Sequence, residues 1–353
     1  MMTPGPLRRI ALDSRRSDSW EALVRSNSAC GFMQSLTWAD FQRRLGIDVY
    51  PRAWARGGRL EGGALFYASR SLDGPGMLVT PGGPVVPWSD PGRGKTLFVA
   101  IRAEARRLMR ATGSLFWRIE PRLEAPLPEY VRDFVRAPVD LDPYETREID
   151  LGGGFDAVLA AMTPKGRYNV RLAERHGVTV SMDGDPAAAR PFHALLAETA
   201  ARQGFAAEPM AYLLELAATL FPAGLASAFF ARHGGEVQAA AIAVFHGPRA
   251  TFLYGASRRE HRRVMAPYAL HAAIMAEAIR RGCSTYDLYG VDASGRLDHA
   301  YHRLSQFKGR FGGASRTYVG AHDRYDYDVV ADAMIPFFRH LASGEELTCP
   351  QPG

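Results

Sequence analysis

Two stretches decide how this chain reads. They are Trp54-Ala55-Arg56-Gly57-Gly58-Arg59-Leu60-Glu61-Gly62-Gly63-Ala64 and Phe230-Ala231-Arg232-His233-Gly234-Gly235-Glu236-Val237-Gln238-Ala239-Ala240. Each places a Gly-Gly pair between two strand-like runs. That is the signature of a two-residue hairpin loop, whose central residues take positive φ. The stretches align side by side once one residue is inserted in the second. Working outward, each hairpin is followed by a further strand, a long helix and a short aromatic strand. The first copy gives strands over 49–56, 60–69 and 77–86, the last broken by Pro81-Gly82-Gly83-Pro84, then a helix over 95–112 and a strand over 114–119. The second gives strands over 226–232, 237–245 and 250–256, a helix over 267–281 stopped by Gly282, and a strand over 285–289.

Helical spacing also predicts helices over 19–25, 35–45, 155–162, 167–176, 186–203 and 209–220, and a strand over 178–182. Two copies of one mixed unit follow from this order. A hairpin meander, a helix and a strand in succession is the order of the GNAT N-acyltransferase core. The expected fold is therefore α/β (α+β): two tandem GNAT-like domains, each a mixed, largely antiparallel sheet flanked by helices. Residues 1–148 would form the first, completed by the segment 318–353, and 149–317 the second.

The 353 residues are 47% hydrophobic and 23% charged, ordinary for a globular chain with room for two domains. The net charge is +6, and 43 basic residues include lysine only at Lys95, Lys165 and Lys308. A lysine kept where arginine prevails suggests a need for a compact ammonium on a flexible stem. Lys308 is the candidate for such a role, inside Gln306-Phe307-Lys308-Gly309-Arg310-Phe311-Gly312-Gly313. A basic surface suits an anionic partner such as a phosphate, an RNA or an acidic membrane face. The opening residues carry arginine without an apolar core, unlike a signal peptide. No apolar run reaches the ~20 residues of a spanning helix. Cys30, Cys283 and Cys349 make no metal or redox spacing. A cytoplasmic protein is expected, with peripheral contact at the inner membrane face compatible with its charge.

Chemical motifs are sparse. Acyl-CoA enzymes of the GNAT fold use a Gln/Arg-x-x-Gly-x-Gly/Ala loop, whose backbone N–H groups close on pyrophosphate at a helix start. Here the loop reads Arg262-Arg263-Val264-Met265-Ala266-Pro267, with Met265 and Pro267 at the glycine positions. Gly94-Lys95-Thr96 resembles the tail of a P-loop, but Asp90 stands where its first glycine belongs. Pro164-Lys165-Gly166-Arg167-Tyr168-Asn169-Val170-Arg171 loads a helix start with cations, which suits a phosphate or a solvated face equally. No histidine or cysteine spacing predicts a metal site, and no cofactor is expected.

In combination, several of these motifs resemble the FemABX aminoacyltransferases. Lys165 to Ala173 with Gly177-Val178 is similar to that family's Lys-x-Arg-Tyr-Asn-Ile-Arg-x-Ala…Gly-Val segment. Tyr254-Gly255-Ala256-Ser257, Met265-Ala266-Pro267-Tyr268, Gly282-Cys283 to Tyr286-Asp287 and Phe307-Lys308 to Phe311-Gly312-Gly313 follow in order, and Phe32-Met33-Gln34-Ser35 with Trp38 matches the family's opening. The resemblance implies twin GNAT-like domains and no acyl-CoA. It implies a donor aminoacyl-tRNA and an acceptor amine on a peptidoglycan stem peptide, carried as UDP-MurNAc-pentapeptide or a lipid-linked precursor, and no DNA. It makes Lys308 the catalytic lysine with Phe307 beside it. Trp38, Arg43, Lys165, Arg167, Tyr168, Tyr212, Tyr254, Arg263 and Tyr289 become the expected substrate-binding residues. Gln42 competes with Arg43 for the family's basic position. Glu208 stands where members that bind the diphosphate often carry arginine, and this leaves the acceptor open. An N-acyltransferase acting on an envelope polysaccharide or other amine, with a different activated donor, is the alternative.

Overall fold

The computed structural model describes residues 5–69, 76–292, 302–326 and 328. Cys349, and the expected completing segment beyond residue 326 except Asp328, lie outside the described residues. In chain order the elements are β1 (Leu7–Ile10), α1 (Ser17–Ser26), α2 (Leu36–Arg44), β2 (Asp48–Arg56), β3 (Arg59–Ser69), β4 (Gly76–Pro81), α3 (Pro91–Thr112), β5 (Ser114–Glu120) and β6 (Val135–Arg136). There follow β7 (Glu145–Asp150), α4 (Gly154–Ala161), α5 (Pro164–Arg175), β8 (Thr179–Asp183), α6 (Ala189–Gln203), α7 (Met210–Leu220), β9 (Ala226–His233), β10 (Glu236–His246), β11 (Arg249–Ser257), α8 (Ala266–Arg280), β12 (Thr285–Asp287), α9 (His302–Lys308), β13 (Ala314–Thr317) and β14 (His322–Tyr325).

Both diagnostic hairpins form. Gly57 and Gly58 have φ of 55° and 82°, and Gly234 and Gly235 have 59° and 83°, the left-handed pair that a tight loop matching strand twist requires. Arg56 pairs with Arg59, and His233 with Glu236. One residue further on, each returning strand bulges, leaving Glu61 and Gln238 without a cross-strand partner. Turn and bulge thus superpose with no insertion: Arg56 corresponds to His233 and Trp54 to Ala231. Side-chain likeness suggested the one-residue offset; backbone register removes it.

Helix starts follow their caps. Ser35 accepts from the Trp38 N–H, Asp90 from Arg93 and Thr163 from Gly166. The last two, each with proline in the first turn, begin α3 and α5 several residues before the apolar periodicity does.

The strands form two sheets in the orders β1-β2-β3-β4-β5-β14-β6 and β13-β7-β12-β11-β10-β9-β8. Within each, the described strands pair antiparallel except one parallel pair, β4 with β5 and β11 with β12, bridged by α3 and α8 respectively. This is the tandem mixed α/β fold expected. The chain laces the two units together. After β6 it crosses to the second sheet through β7; after β13 it returns so that β14 pairs with β5 and β6. One core lies between the sheets, where Trp20, Phe41 and Leu65 of the first unit meet Phe192, Leu213, Leu216 and Ile242 of the second. Separate cores fill the spaces under α3 and α8.

A buried ion pair also joins the units. Arg122, just beyond β5, donates to Asp287 at the end of β12, and both are almost fully enclosed. Removing one partner strands the other charge, which costs about 3–5 kcal/mol. Arg122→Met is expected to lower unfolding stability by about that amount, read as the urea midpoint by tryptophan fluorescence.

Candidate active site

The parallel pair β11–β12 is short. Arg249, Ala250 and Thr251 pair with Thr285, Tyr286 and Asp287, and there β12 ends while β11 runs on to Ser257. Beyond Asp287 the two strands part. The chain leaving β12 turns at Tyr289, which adopts φ of +62°, a conformation a bulky residue rarely takes. The turn is pinned by Asp287, whose Oδ1 accepts the Tyr289 N–H at 2.9 Å. The same carboxylate takes hydrogen bonds from the Thr146 hydroxyl and from Arg122, with Arg249 at 3.3 Å. Burial alone would raise its pKa, but Arg122, Arg249, Thr146 and the Tyr289 N–H outweigh burial and hold it below the usual range.

Lys308 ends α9 and is 4% exposed. Its Nζ donates to the Gly290 carbonyl at 2.6 Å and to the Tyr289 carbonyl at 3.3 Å. Burial pulls its pKa down to about 8, with Asp287 acting in the opposite direction. Beneath it, Phe307 meets Tyr268 and Phe311 edge-on or tilted at centroid distances of 5.2 Å, and His271 at 5.5 Å. His271 is buried, and its Nδ1 lies 2.8 Å from the Tyr286 hydroxyl. Burial and the Lys308 charge hold its pKa down to about 3, so it is neutral near pH 7.

The other expected substrate residues form separate groups. Trp38, Phe41 and Tyr212 make a chain of edge contacts between α2 and α7, and the Tyr254 hydroxyl donates to the Tyr212 hydroxyl at 3.3 Å. Burial raises the Tyr254 pKa, with Tyr212 and then the Glu208 carboxylate adding to it, so Glu208 faces this pair. A bulge at Ile242/Ala243 leaves Leu253 unpaired and turns β11 over. Tyr254 therefore packs with the core between the sheets, while Phe252 packs with the core that holds Phe307. Arg43 pairs with its neighbour Asp40 at 2.6 Å. Lys165 and Tyr168 are exposed on α5, and Arg167 donates from Nη1 to the carbonyls of Ala160 and Met162. Arg263 is exposed in the turn before α8. That turn holds Met265 at φ of +58°, and Pro267 removes an N–H from the first helical turn.

Sequence reading missed the residues that position the lysine. Arg122, Thr146 and Arg249 converge on Asp287 from both units, and Glu148, which accepts from Tyr318, pairs with the two arginines. Their separations in sequence leave no local signal. His271 stands alone in the sequence, with no spacing that marks it for a role.

Lys308 binds fewer protons folded than unfolded between pH 8 and its ordinary value of 10.5. Folding stability attributable to it therefore rises with pH across that window. Urea midpoints measured at pH 8 and pH 10 are expected to show this rise as the difference between wild type and Lys308→Met, which has no proton to lose there.

Residues 165–303 match the Acetyltransferase (GNAT) domain family. A search of curated proteins finds no match. Among solved structures, the chain is similar to FemX, with a TM-score of 0.82 at 18% identity over 92% of this chain and 99% of that one. It is also similar to a tandem GNAT protein from the clavulanic acid biosynthesis pathway (TM-score 0.56, 14% identity, 91% and 98% covered). A third is the C-terminal domain of a putative lysylphosphatidylglycerol synthetase from Agrobacterium fabrum (TM-score 0.51, 15% identity, 92% and 96% covered). The chain thus shares the tandem GNAT fold of FemX, and most of its second unit matches the model of a GNAT acetyltransferase domain.

Proposed function

We propose that the chain is an aminoacyltransferase, moving an amino acid from aminoacyl-tRNA to an amine of a peptidoglycan stem peptide. The observation that carries this is Lys308. A protonated lysine has three N–H donors. Two are engaged by the Gly290 and Tyr289 carbonyls, which leaves one to meet an oxyanion. When the acceptor amine attacks the aminoacyl ester, the carbonyl oxygen gains negative charge. A preorganised ammonium in a dry site stabilises that charge strongly. The new C–N bond forms, the ester C–O bond breaks, and the amine's proton passes to the departing ribose oxygen. Tyr289 and Phe307 shape the lysine's surroundings. Trp38, Tyr212, Tyr254 and Arg43 are assigned to the acceptor side, and Lys165, Arg167, Tyr168 and Arg263 to the donor side.

The poor CoA loop favours a donor other than acyl-CoA, since Pro267 withholds a backbone N–H from the first turn of α8. A muropeptide acceptor fits the similarity to FemX. Glu208 beside Tyr212 and Tyr254 favours the second reading, N-acyl transfer to a different amine, because a carboxylate repels a diphosphate. Among the described residues, no helix is long and apolar enough to cross a membrane. A place at the inner membrane face would therefore rest on peripheral contact.

Incubation with a mixture of charged tRNAs and UDP-MurNAc-pentapeptide, followed by mass spectrometry, is expected to show one added residue. Transfer only from acyl-CoA would overturn the donor assignment. Lys308→Met is expected to lower kcat by at least about 10²–10³-fold without loss of fold by circular dichroism. Because the ammonium form acts, the wild-type rate is expected to fall as pH rises through about 8.

A further inference from the structure

The surface carries two arginine-rich depressions of different character. One, of about 520 Å³, is lined by Arg56, Arg59 and Arg93, but Glu61 and Asp90 lie in the same wall. Arg93 pairs with Glu61 at 2.7 Å, so its charge is already answered. The other, of about 370 Å³, is lined by Pro164, Arg167, Tyr168, Arg171 and Arg175 of α5 and has no acidic member.

The pitch of α5 explains this second face. At 3.6 residues per turn, Pro164, Tyr168, Arg171 and Arg175 share one side. Gly166, Asn169 and Ala173 are buried on the opposite side. Glu174 falls on the flank beside Arg167. Among the described residues, Lys165, Arg171 and Arg175 make no ion pair, whereas Arg93 in the first depression does. Tyr168 is 55% exposed, and the Arg175 guanidinium lies 5.5 Å from its ring centre. An exposed aromatic ring among unpaired arginines offers a face for base stacking and charges for phosphates, the pairing that holds single-stranded nucleic acid.

The helix is also fixed to the lysine segment. Thr163 donates through both its backbone N–H and its hydroxyl to the Arg310 carbonyl, two residues past Lys308. The Gly166 backbone approaches the same carbonyl so closely that a Cβ would lie 2.1 Å from it. The start of α5 therefore packs, through its buried side, on the segment that carries Lys308.

We propose that the outward face of α5 is the docking surface for a single-stranded RNA end, with a base stacked on Tyr168 and backbone phosphates on Arg171 and Arg175. The proposal rests on the donor reading above for the identity of that RNA, but its binding chemistry stands apart from catalysis. The test measures fluorescence anisotropy of a labelled single-stranded RNA oligonucleotide and of uncharged tRNA with the full chain. Tyr168→Ala is expected to weaken binding roughly 10-fold. The double variant Arg171→Gln/Arg175→Gln is expected to lower the slope of log affinity against log salt by about 1.4, some 0.7 per phosphate. Arg93→Gln, in the acid-balanced depression, is expected to change neither. Unchanged thermal melting shows that the exposed substitutions leave the fold intact.

No RNA binding by wild type, or unaltered affinity and slope in the α5 variants, overturns the proposal. So does an effect of these variants confined to anionic phosphatidylglycerol vesicles, which would make the face a membrane contact. RNA binding through α5 without transfer from charged tRNA would overturn the donor reading and leave this proposal standing.

Discussion

The Asp287 carboxylate is the constraint on which the rest of the structure turns. It closes β12, receives Arg122 from the first unit, and takes Thr146 and Arg249 from the second. Its Oδ1 also pins the turn at Tyr289 whose carbonyls grip Lys308. The contact that joins the sheets therefore also sets where the ammonium points. A buried ion pair is seldom the most stable filling for its space, since apolar residues of similar volume often do as well or better. Its value here is directional: it holds a strained turn and a lysine in one geometry.

The path of the chain reinforces that geometry. β7 enters the second sheet before its hairpin, and β14 returns to the first sheet after Lys308, so the site segment is tethered at both ends. The α5 contact with the Arg310 carbonyl adds a third anchor. A site built on such supports can hold its lysine within the small tolerance that acyl transfer demands.

Much of this was legible in the residues, and the losses have identifiable causes. The Gly-Gly loops announced both hairpins because only a positive-φ pair closes them, and element order then gave the mixed fold. The one-residue offset between copies failed because likeness of side chains is weaker than the register imposed by a shared bulge. The helix α9, which carries Lys308 at its end, escaped notice because its seven described residues are too few to show periodicity. Lys308 itself stood out by rarity, but Arg122 could not: among 40 arginines nothing local marks the one that is buried. Tyr254 entered with Tyr212 only through the family resemblance, since the bulge that sends Tyr254 to the core between the sheets is invisible in the alternation around it.

Three lysines make the central claim directly measurable. With lysine Nζ labelled by nitrogen-15, the folded chain should give three side-chain signals, from Lys95, Lys165 and Lys308. One of them is predicted to titrate near pH 8 and to vanish in Lys308→Met. Three signals that all titrate near the ordinary lysine value would contradict the account, because Lys308 would then be neither buried nor poised at the end of β12.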